Sequence, residues 1–316
     1  MTSFVSIIIP CRNEEKHIGK CLETILKQNY PKERMEVLVV DGMSEDKTRK
    51  IVKRFQIRNP KFQLRLLDNP KRFTNFAWNL GIKESKGEIL ILVGAHSFYK
   101  EDYVLKCVKY LNEYDADNVG GTIITLPREN TVVARAIALV LSSSFGVGGA
   151  TFRKGSKKPK WVDTVFGGCY RRDVFNRIGL FNENLNRGQD MEFNIRLKKA
   201  GGKILLVPDI VAYYYPKTAN PKDFFIYHLK DGVWAILPLK FVKTPFKLRH
   251  YIPLIFILTL PLSIWPYILL SLFFSLQISL KEKDIRLFFV LPMVFFCRHF
   301  GYGLGSLVGL GKILKK

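Results

Sequence analysis

The sequence predicts an α/β protein, with a parallel sheet and its covering helices up to about residue 235 and an apolar helical region after that. Three observations predict it. Short β-branched runs alternate with segments of helical periodicity, and the connections between them are short. Residues 252–280 then run for 29 positions without an Asp, Glu, Lys or Arg.

The elements follow in order. Residues 5–9 form a short, almost continuous β-branched run, as a strand buried on both faces requires. Ile18, Cys21, Leu22, Ile25 and Leu26 repeat at helical spacing. Residues 35–40 are a second buried strand that stops at Asp41-Gly42. Ser44 or Asp46 can cap the helix that follows, which carries Ile51, Val52 and Phe55 on one face. Residues 62–67 read as a third strand, 76–84 as a third helix and 88–93 as a fourth strand.

Composition narrows the class. Of the 316 residues, 50 are Lys or Arg and 27 are Asp or Glu, a net charge of +23, while 47% are apolar, enough for a real core. Five scattered cysteines without a CxxC pair exclude a disulfide framework and a zinc cluster, and they fit a reducing compartment. No basic segment precedes an apolar run at the N-terminus, so no signal peptide is expected. The charge would fit nucleic acid, an anionic membrane surface or phosphorylated substrates. Without a helix-turn-helix, zinc-finger or RNP-like block, no nucleic-acid partner is expected. Lys240, Lys243, Lys247 and Arg249 form a basic collar directly before the uncharged run. That is the positive-inside pattern of a membrane protein whose preceding chain is cytoplasmic.

A second apolar stretch, 285–311, carries Arg298 and His299 near its middle, Gly301, Gly305 and Gly309 at four-residue spacing, and a basic end at Lys312, Lys315 and Lys316. Two spans with residues 281–284 outside the cell fit this pattern, as does one span followed by a re-entrant or interfacial segment. The expected organisation is residues 1–235 as a catalytic-type domain, 236–250 as a basic juxtamembrane segment and 251–316 as a membrane region with spans near 252–280 and 285–311. The expected location is the cell membrane.

In an open α/β sheet, ligands bind beyond the carboxyl ends of the strands, which points to residues 10–15, 41–44 and 94–97. None of these loops reads GxGxxG and no GxxxxGK occurs, so an NAD site and a P-loop are not expected. Asp41 before Gly42 is either a ligand-facing carboxylate or an ordinary turn aspartate. The pairs Gly120-Gly121 and Gly167-Gly168 allow either a close backbone approach to a ligand or a turn. The run Tyr213-Tyr-Tyr-Pro-Lys217 suits a sugar face, a phosphate or an interfacial aromatic belt.

Val5-Ser-Ile-Ile-Ile-Pro10-Cys-Arg12-Asn-Glu14-Glu15, Glu36-Val-Leu-Val-Val-Asp41-Gly-Met-Ser44-Glu-Asp46, Trp78-Asn79-Leu-Gly81 and Lys86-Gly87-Glu88, taken together and in this order, resemble the blocks of family 2 glycosyltransferases. Ser143-Ser-Phe-Gly146, Phe152-Arg153, Gly167-Gly168-Cys-Tyr-Arg171-Arg172 and Leu248-Arg249-His250 are similar to the succinoglycan-type, membrane-anchored branch. The resemblance implies a GT-A fold and inverting transfer from a nucleotide-diphosphate sugar to a lipid-linked saccharide at the cytoplasmic membrane face. Direct transfer to a polyprenyl phosphate and a catalytically inactive nucleotide-sugar binder are the alternatives. Without a Gln-x-x-Arg-Trp block, a processive synthase is not expected.

By the same resemblance, Asp41 accepts a hydrogen bond from the nucleotide base, with Pro10, Arg12, Glu14 and Asn79 on the nucleotide-sugar side. Gly167, Gly168 and Gln189 lie on the acceptor and sugar side. Asp190 is the catalytic base, for which Glu192 competes from another face of the helix. His96 is the metal ligand for a divalent ion, Mn²⁺ or Mg²⁺. The chain departs from the family here, because Gly94 stands where the first carboxylate of the usual metal motif belongs.

Overall fold

The computed structural model describes residues 2–240 and 250–314. Lys243, Lys247 and Arg249 of the basic collar, with Lys315 and Lys316, lie outside the described residues. Among these residues the order is β1 (Val5–Cys11), α1 (Ile18–Leu26), β2 (Met35–Asp41), α2 (Thr48–Arg58), β3 (Leu64–Asp68), α3 (Thr74–Glu84), β4 (Ile89–Leu92), β5 (Ser97–Tyr99), α4 (Tyr103–Glu113) and β6 (Asn118–Thr125). Then come α5 (Val132–Val140), α6 (Ser144–Val147), α7 (Thr151–Lys154), β7 (Lys160–Trp161), β8 (Phe166–Arg171), α8 (Arg172–Ile178), α9 (Gln189–Lys199), β9 (Ile204–Tyr214), α10 (Pro221–Ile236), α11 (Ile252–Leu258), α12 (Leu260–Glu282) and α13 (Arg286–Leu314).

The chain forms two compact units that interleave in sequence, residues 1–124 with 155–214, and residues 125–154 with 215–316. The first holds a sheet in the order β3-β2-β1-β4-β8-β6-β9-β5, with β7 also on β9. β1, β2, β3 and β4 are parallel, and their residues Val5, Ile7, Ile8, Ile9 and Val37 to Val40 are buried, as the β-branched runs require. The expectation of a parallel sheet holds for this half only. From β8 onward the pairs β4–β8, β6–β8, β5–β9 and β7–β9 are antiparallel. The glycines explain why the sheet can turn there. Gly167 and Gly168 have φ of +73° and +94°, and a Cβ on Gly167 would lie 2.8 Å from the Leu92 carbonyl oxygen. Gly120 and Gly121 are equally crowded, against Val165 and the Ile210 carbonyl, so close strand packing accounts for both pairs.

The second unit is helical. Ala136, Ile137, Val140 and Leu141 share one core with Phe224 of α10 and with Leu287, Leu291, Val294 and Phe295 of α13. Gly301, Gly305 and Gly309 let α13 approach α10, where a Cβ would collide with or crowd Phe225, Leu229 and Val233. Arg298 and His299 turn inward. Arg298 donates to the Gly146 carbonyl and to His228 Nε2 (3.0 Å), and His299 Nε2 donates to the Phe145 carbonyl (3.0 Å). The uncharged run is two helices rather than one, because α11 ends at Thr259 before α12 begins. α12 and α13 are each long and apolar enough to cross a membrane.

Candidate active site

Two loops at the carboxyl ends of β1 and β2 are laced together. The backbone N–H of Asn13 donates to Ser44 Oγ (2.9 Å), that of Glu14 to Thr48 Oγ1 (2.8 Å) and that of Glu15 to Asp46 Oδ2 (3.1 Å). In return, Glu45 N–H donates to Asn13 Oδ1 (2.9 Å) and Lys47 N–H to Glu15 Oε2 (3.0 Å). Asp46 rather than Ser44 serves the start of α2, accepting from Thr48 N–H at 2.9 Å. Burial opposes its charge, but the hydrogen bonds from Thr48 and Glu15 outweigh that and hold its carboxyl below the usual range.

A third loop joins them at Gly42, where a Cβ would stand 3.0 Å from the Arg72 carbonyl oxygen and 3.3 Å from Arg12 Cβ. Asn13, Met43 and Arg72, one in each loop, all have positive φ (55°, 58° and 66°). Left-handed backbone at non-glycine residues is costly and gathers at functional sites.

Asp41 sits at the end of β2 as expected, but it is fully buried beneath these loops. Its Oδ1 accepts from Ser44 Oγ (2.5 Å) and faces Cys11 Sγ (3.6 Å), and its Oδ2 accepts from Ser44 N–H (3.0 Å) and Arg49 (2.8 Å). Arg49 also reaches Asp68 at 2.8 Å, so one guanidinium bridges the carboxylates that end β2 and β3. Burial, followed by the Asp41 charge, pushes the Cys11 thiol up and leaves it unreactive. Sequence reasoning missed Arg49 and Asp68. The available signal was the repeat of an aspartate at the end of consecutive strands, in register across the pair. Pro10 is half-buried in β1, paired with Val40, one residue before the Cys11–Asp41 pair. Arg12 is exposed, with Glu45 3.9 Å away, a surface pair of little energetic consequence.

His96 stands in the β4–β5 loop, its Nδ1 3.2 Å from Glu14 Oε1 and its ring edge-on to Tyr214, 5.4 Å between centroids. Tyr214 in turn packs edge-on against Phe166 at 5.9 Å, which brings the first residue of β8 and its glycine pair close to His96. His96 and Glu14 give a metal two donors. No group of three His, Cys, Asp or Glu side chains gathers among the described residues, so a divalent ion held here would take its remaining ligands from water and the donor's diphosphate. A Cβ on Gly94 would crowd Ser97 Oγ, at 3.3 Å.

Gly188 (φ +71°) opens α9. Gln189 is buried, and its Oε1 has no hydrogen-bond partner among the described residues. Asp190 is exposed in the first turn, while Glu192 is buried and held by Arg196 through both oxygens (2.6 and 3.0 Å). Asn79 is not among the strand-end loops. Its Nδ2 donates to the Phe181 carbonyl (2.9 Å) and Glu183 Oε1 (3.0 Å), and its Oδ1 accepts from Phe181 N–H (3.0 Å). Asn75, one turn earlier, donates to the Glu183 carbonyl (3.0 Å), and Arg196 donates to the Leu180 carbonyl (2.8 Å). These side chains fix the loop that runs into Gln189 and Asp190.

A mixed central sheet of this kind, parallel in its first half and antiparallel in its second, is the GT-A architecture of nucleotide-sugar transferases. The mannosyltransferase PcManGT from Pyrobaculum calidifontis, solved with GDP-Man and Mn²⁺, matches all of this chain and 89% of its own, with a TM-score of 0.68 at 20% identity. Staphylococcus aureus TarS 1-349 with UDP matches all of this chain and 92% of its own, with a TM-score of 0.53 at 18% identity. At these identities the likeness is one of fold. The model of Glycosyl transferase family 2 matches residues 6–179, and the chain belongs to that family as a nucleotide-sugar-dependent glycosyltransferase. The dolichyl N-acetyl-α-D-glucosaminyl phosphate 3-β-D-2,3-diacetamido-2,3-dideoxy-β-D-glucuronosyltransferase of Methanococcus voltae is 33% identical over 322 residues, 98% of each chain. The succinoglycan biosynthesis protein ExoA of Rhizobium meliloti is 28% identical over 249 residues, 74% of each.

Proposed function

We propose that the chain transfers a sugar, with inversion, from a nucleotide-diphosphate sugar to a lipid-linked saccharide at the cytoplasmic face of a membrane. Residues 1–235 hold the catalytic machinery and residues 251–316 the membrane attachment. The observation that carries the reading is the start of α9, where Asp190 is an exposed residue of the first turn beside the buried Gln189, while Glu192 is buried with both its oxygens on Arg196. As base, Asp190 takes the proton of the acceptor hydroxyl while its oxygen attacks the anomeric carbon and the nucleoside diphosphate departs from the opposite face. Pro10, Arg12 and Glu14 flank the donor, and Asp41 holds their loops. For a nucleobase to reach Asp41 it displaces one of the four partners, and the Cys11 thiol is the weakest of these donors. Gly167, Gly168 and Gln189 lie on the sugar and acceptor side.

A saccharide carried on a lipid is supported by the Methanococcus relative, whose acceptor is a dolichyl-linked sugar phosphate and which matches this chain from end to end. That relative moves a glucuronosyl group, so a uronic-acid donor belongs in the test beside neutral hexoses. The test is turnover of the full-length enzyme with UDP- and GDP-sugars and a lipid-linked acceptor, with the anomeric configuration of the product read by NMR. An inverted linkage supports the reading. A retained one removes Asp190 from the role of base, and transfer to bare polyprenyl phosphate alone moves the acceptor to the other expected class.

A further inference from the structure

The turn between α12 and α13 does not stand alone. Asp284 accepts from Arg135 in the first turn of α5 at 2.7 Å and from Arg286 at 2.9 Å, and Glu282 lies 3.9 Å from the same Arg135. Arg135 follows Thr125, where the chain enters this unit, by ten residues. If the turn lay across a bilayer from Thr125, the link to α5 would have to cross a hydrocarbon core of about 30 Å. Its six residues, 126–131, reach at most about 22 Å when fully extended. They would also lay Arg128, Glu129 and Asn130 in lipid with their backbone groups unsatisfied. Arg128 instead turns back to donate to the Pro216 carbonyl at 3.0 Å. The turn therefore lies on the side of the membrane where the chain enters.

Two further observations agree. α10 runs along the second half of α13 through the glycine contacts, and its outer face carries exposed Lys222, Asp223 and Lys230, which cannot face acyl chains. The turn itself carries exposed Lys281, Lys283 and Arg286, a cationic loop that the positive-inside rule keeps in the cytoplasm. Uncovered apolar surface runs along α12, where Leu262, Trp265, Leu269, Phe273, Leu276 and Leu280 recur at three- and four-residue spacing and are all exposed, and it continues onto α11 at Leu258 and onto α13 at Phe289.

We propose that α11, α12 and α13 enter a single leaflet of the bilayer and return on the same side without crossing it, with the α12 stripe against the acyl chains. This rests on the membrane attachment proposed above and excludes the two-span hairpin with residues 281–284 outside. The basic residues of the turn and Lys312 would then share one headgroup layer, where anionic lipid attracts them.

The test is sidedness in sealed membrane vesicles. Lys281→Cys in the turn and Lys157→Cys, exposed before β7, are labelled in the full-length chain with a membrane-impermeant maleimide, and the unsubstituted chain serves as the blank. Both thiols should label from the same face, with equal yield within about twofold. Trypsin mapping of the unsubstituted chain in the same vesicles reads the same question without a substitution, because Lys281 and Lys283 should be cut wherever Lys157 and Lys158 are cut. Labelling or cutting of the turn from the opposite face only would overturn the proposal and leave membrane attachment intact. Release of the whole chain by carbonate would remove the attachment and the proposal together.

Discussion

The β-sheet unit and the helical unit arrange apolar residues in opposite senses. In β1 and β2 the large aliphatic side chains are inside, with Ile7, Ile8, Ile9, Leu38 and Val39 at or near complete burial. In α12 the small residues are inside. Ser271, Ser275 and Ser279 are buried, Ser275 and Ser279 donating to the carbonyl one turn back at 2.7 Å, while Leu262 and Trp265 stand 83% and 72% exposed. Composition alone does not separate the two patterns, because both segments are apolar. What separates them is which side chains the neighbours cover, and hence which solvent each surface is built for.

The largest break in that comparison is truncation. A chain ending at Lys240 leaves Ala136, Ile137, Val140, Leu141 and Phe224 without Leu287, Leu291, Val294 and Phe295 to cover them. We expect it to yield no soluble monomer by size-exclusion chromatography. A well-behaved truncated monomer would show that α5 and α10 hold their fold without α13. Next in size, Leu38→Ala in β2 should cost about 2–5 kcal/mol by denaturant unfolding. Asn79→Ala should cost about 1–3 kcal/mol, because it leaves buried groups of the 181–183 loop unpaired. It should also lower kcat while leaving nucleotide-sugar affinity unchanged by calorimetry. Weakened donor binding at constant kcat would return Asn79 to the nucleotide side. Smallest, Leu269→Ala on the α12 stripe should change stability in detergent by less than about 0.5 kcal/mol, the usual range for an uncovered surface position.

The parallel half was legible in the sequence because a strand buried on both faces writes a continuous β-branched run, and residues 5–9 and 35–40 do so. The antiparallel half was not. β5 is three residues long, and β6 and β8 spend central positions on glycines that carry no hydrophobic period. The two-unit division was equally hidden, because α5 and α10 join α13 across more than a hundred and about seventy residues of chain. In the site, Asp41, His96 and Asp190 stand where strand ends and a helix start placed them. Arg49 was invisible because its partners, Asp41 and Asp68, lie on two different strands. Asn79 shows the limit of a block resemblance, which marks a position without saying whether it touches the substrate or the loop beside it.

We propose Asp190, and not Glu192, as the base. Turnover of the wild type, Asp190→Asn and Glu192→Gln with a lipid-linked acceptor tests it most directly, with donor affinity measured alongside. Asp190→Asn should lose about 10²–10⁴-fold in kcat with donor binding kept. Glu192→Gln should lose far less at the chemical step, its effect falling on stability through the broken contact with Arg196. A Glu192→Gln enzyme that keeps its fold and yet proves the more damaged of the two would contradict the assignment and leave Asp190 as a helix-terminal carboxylate only.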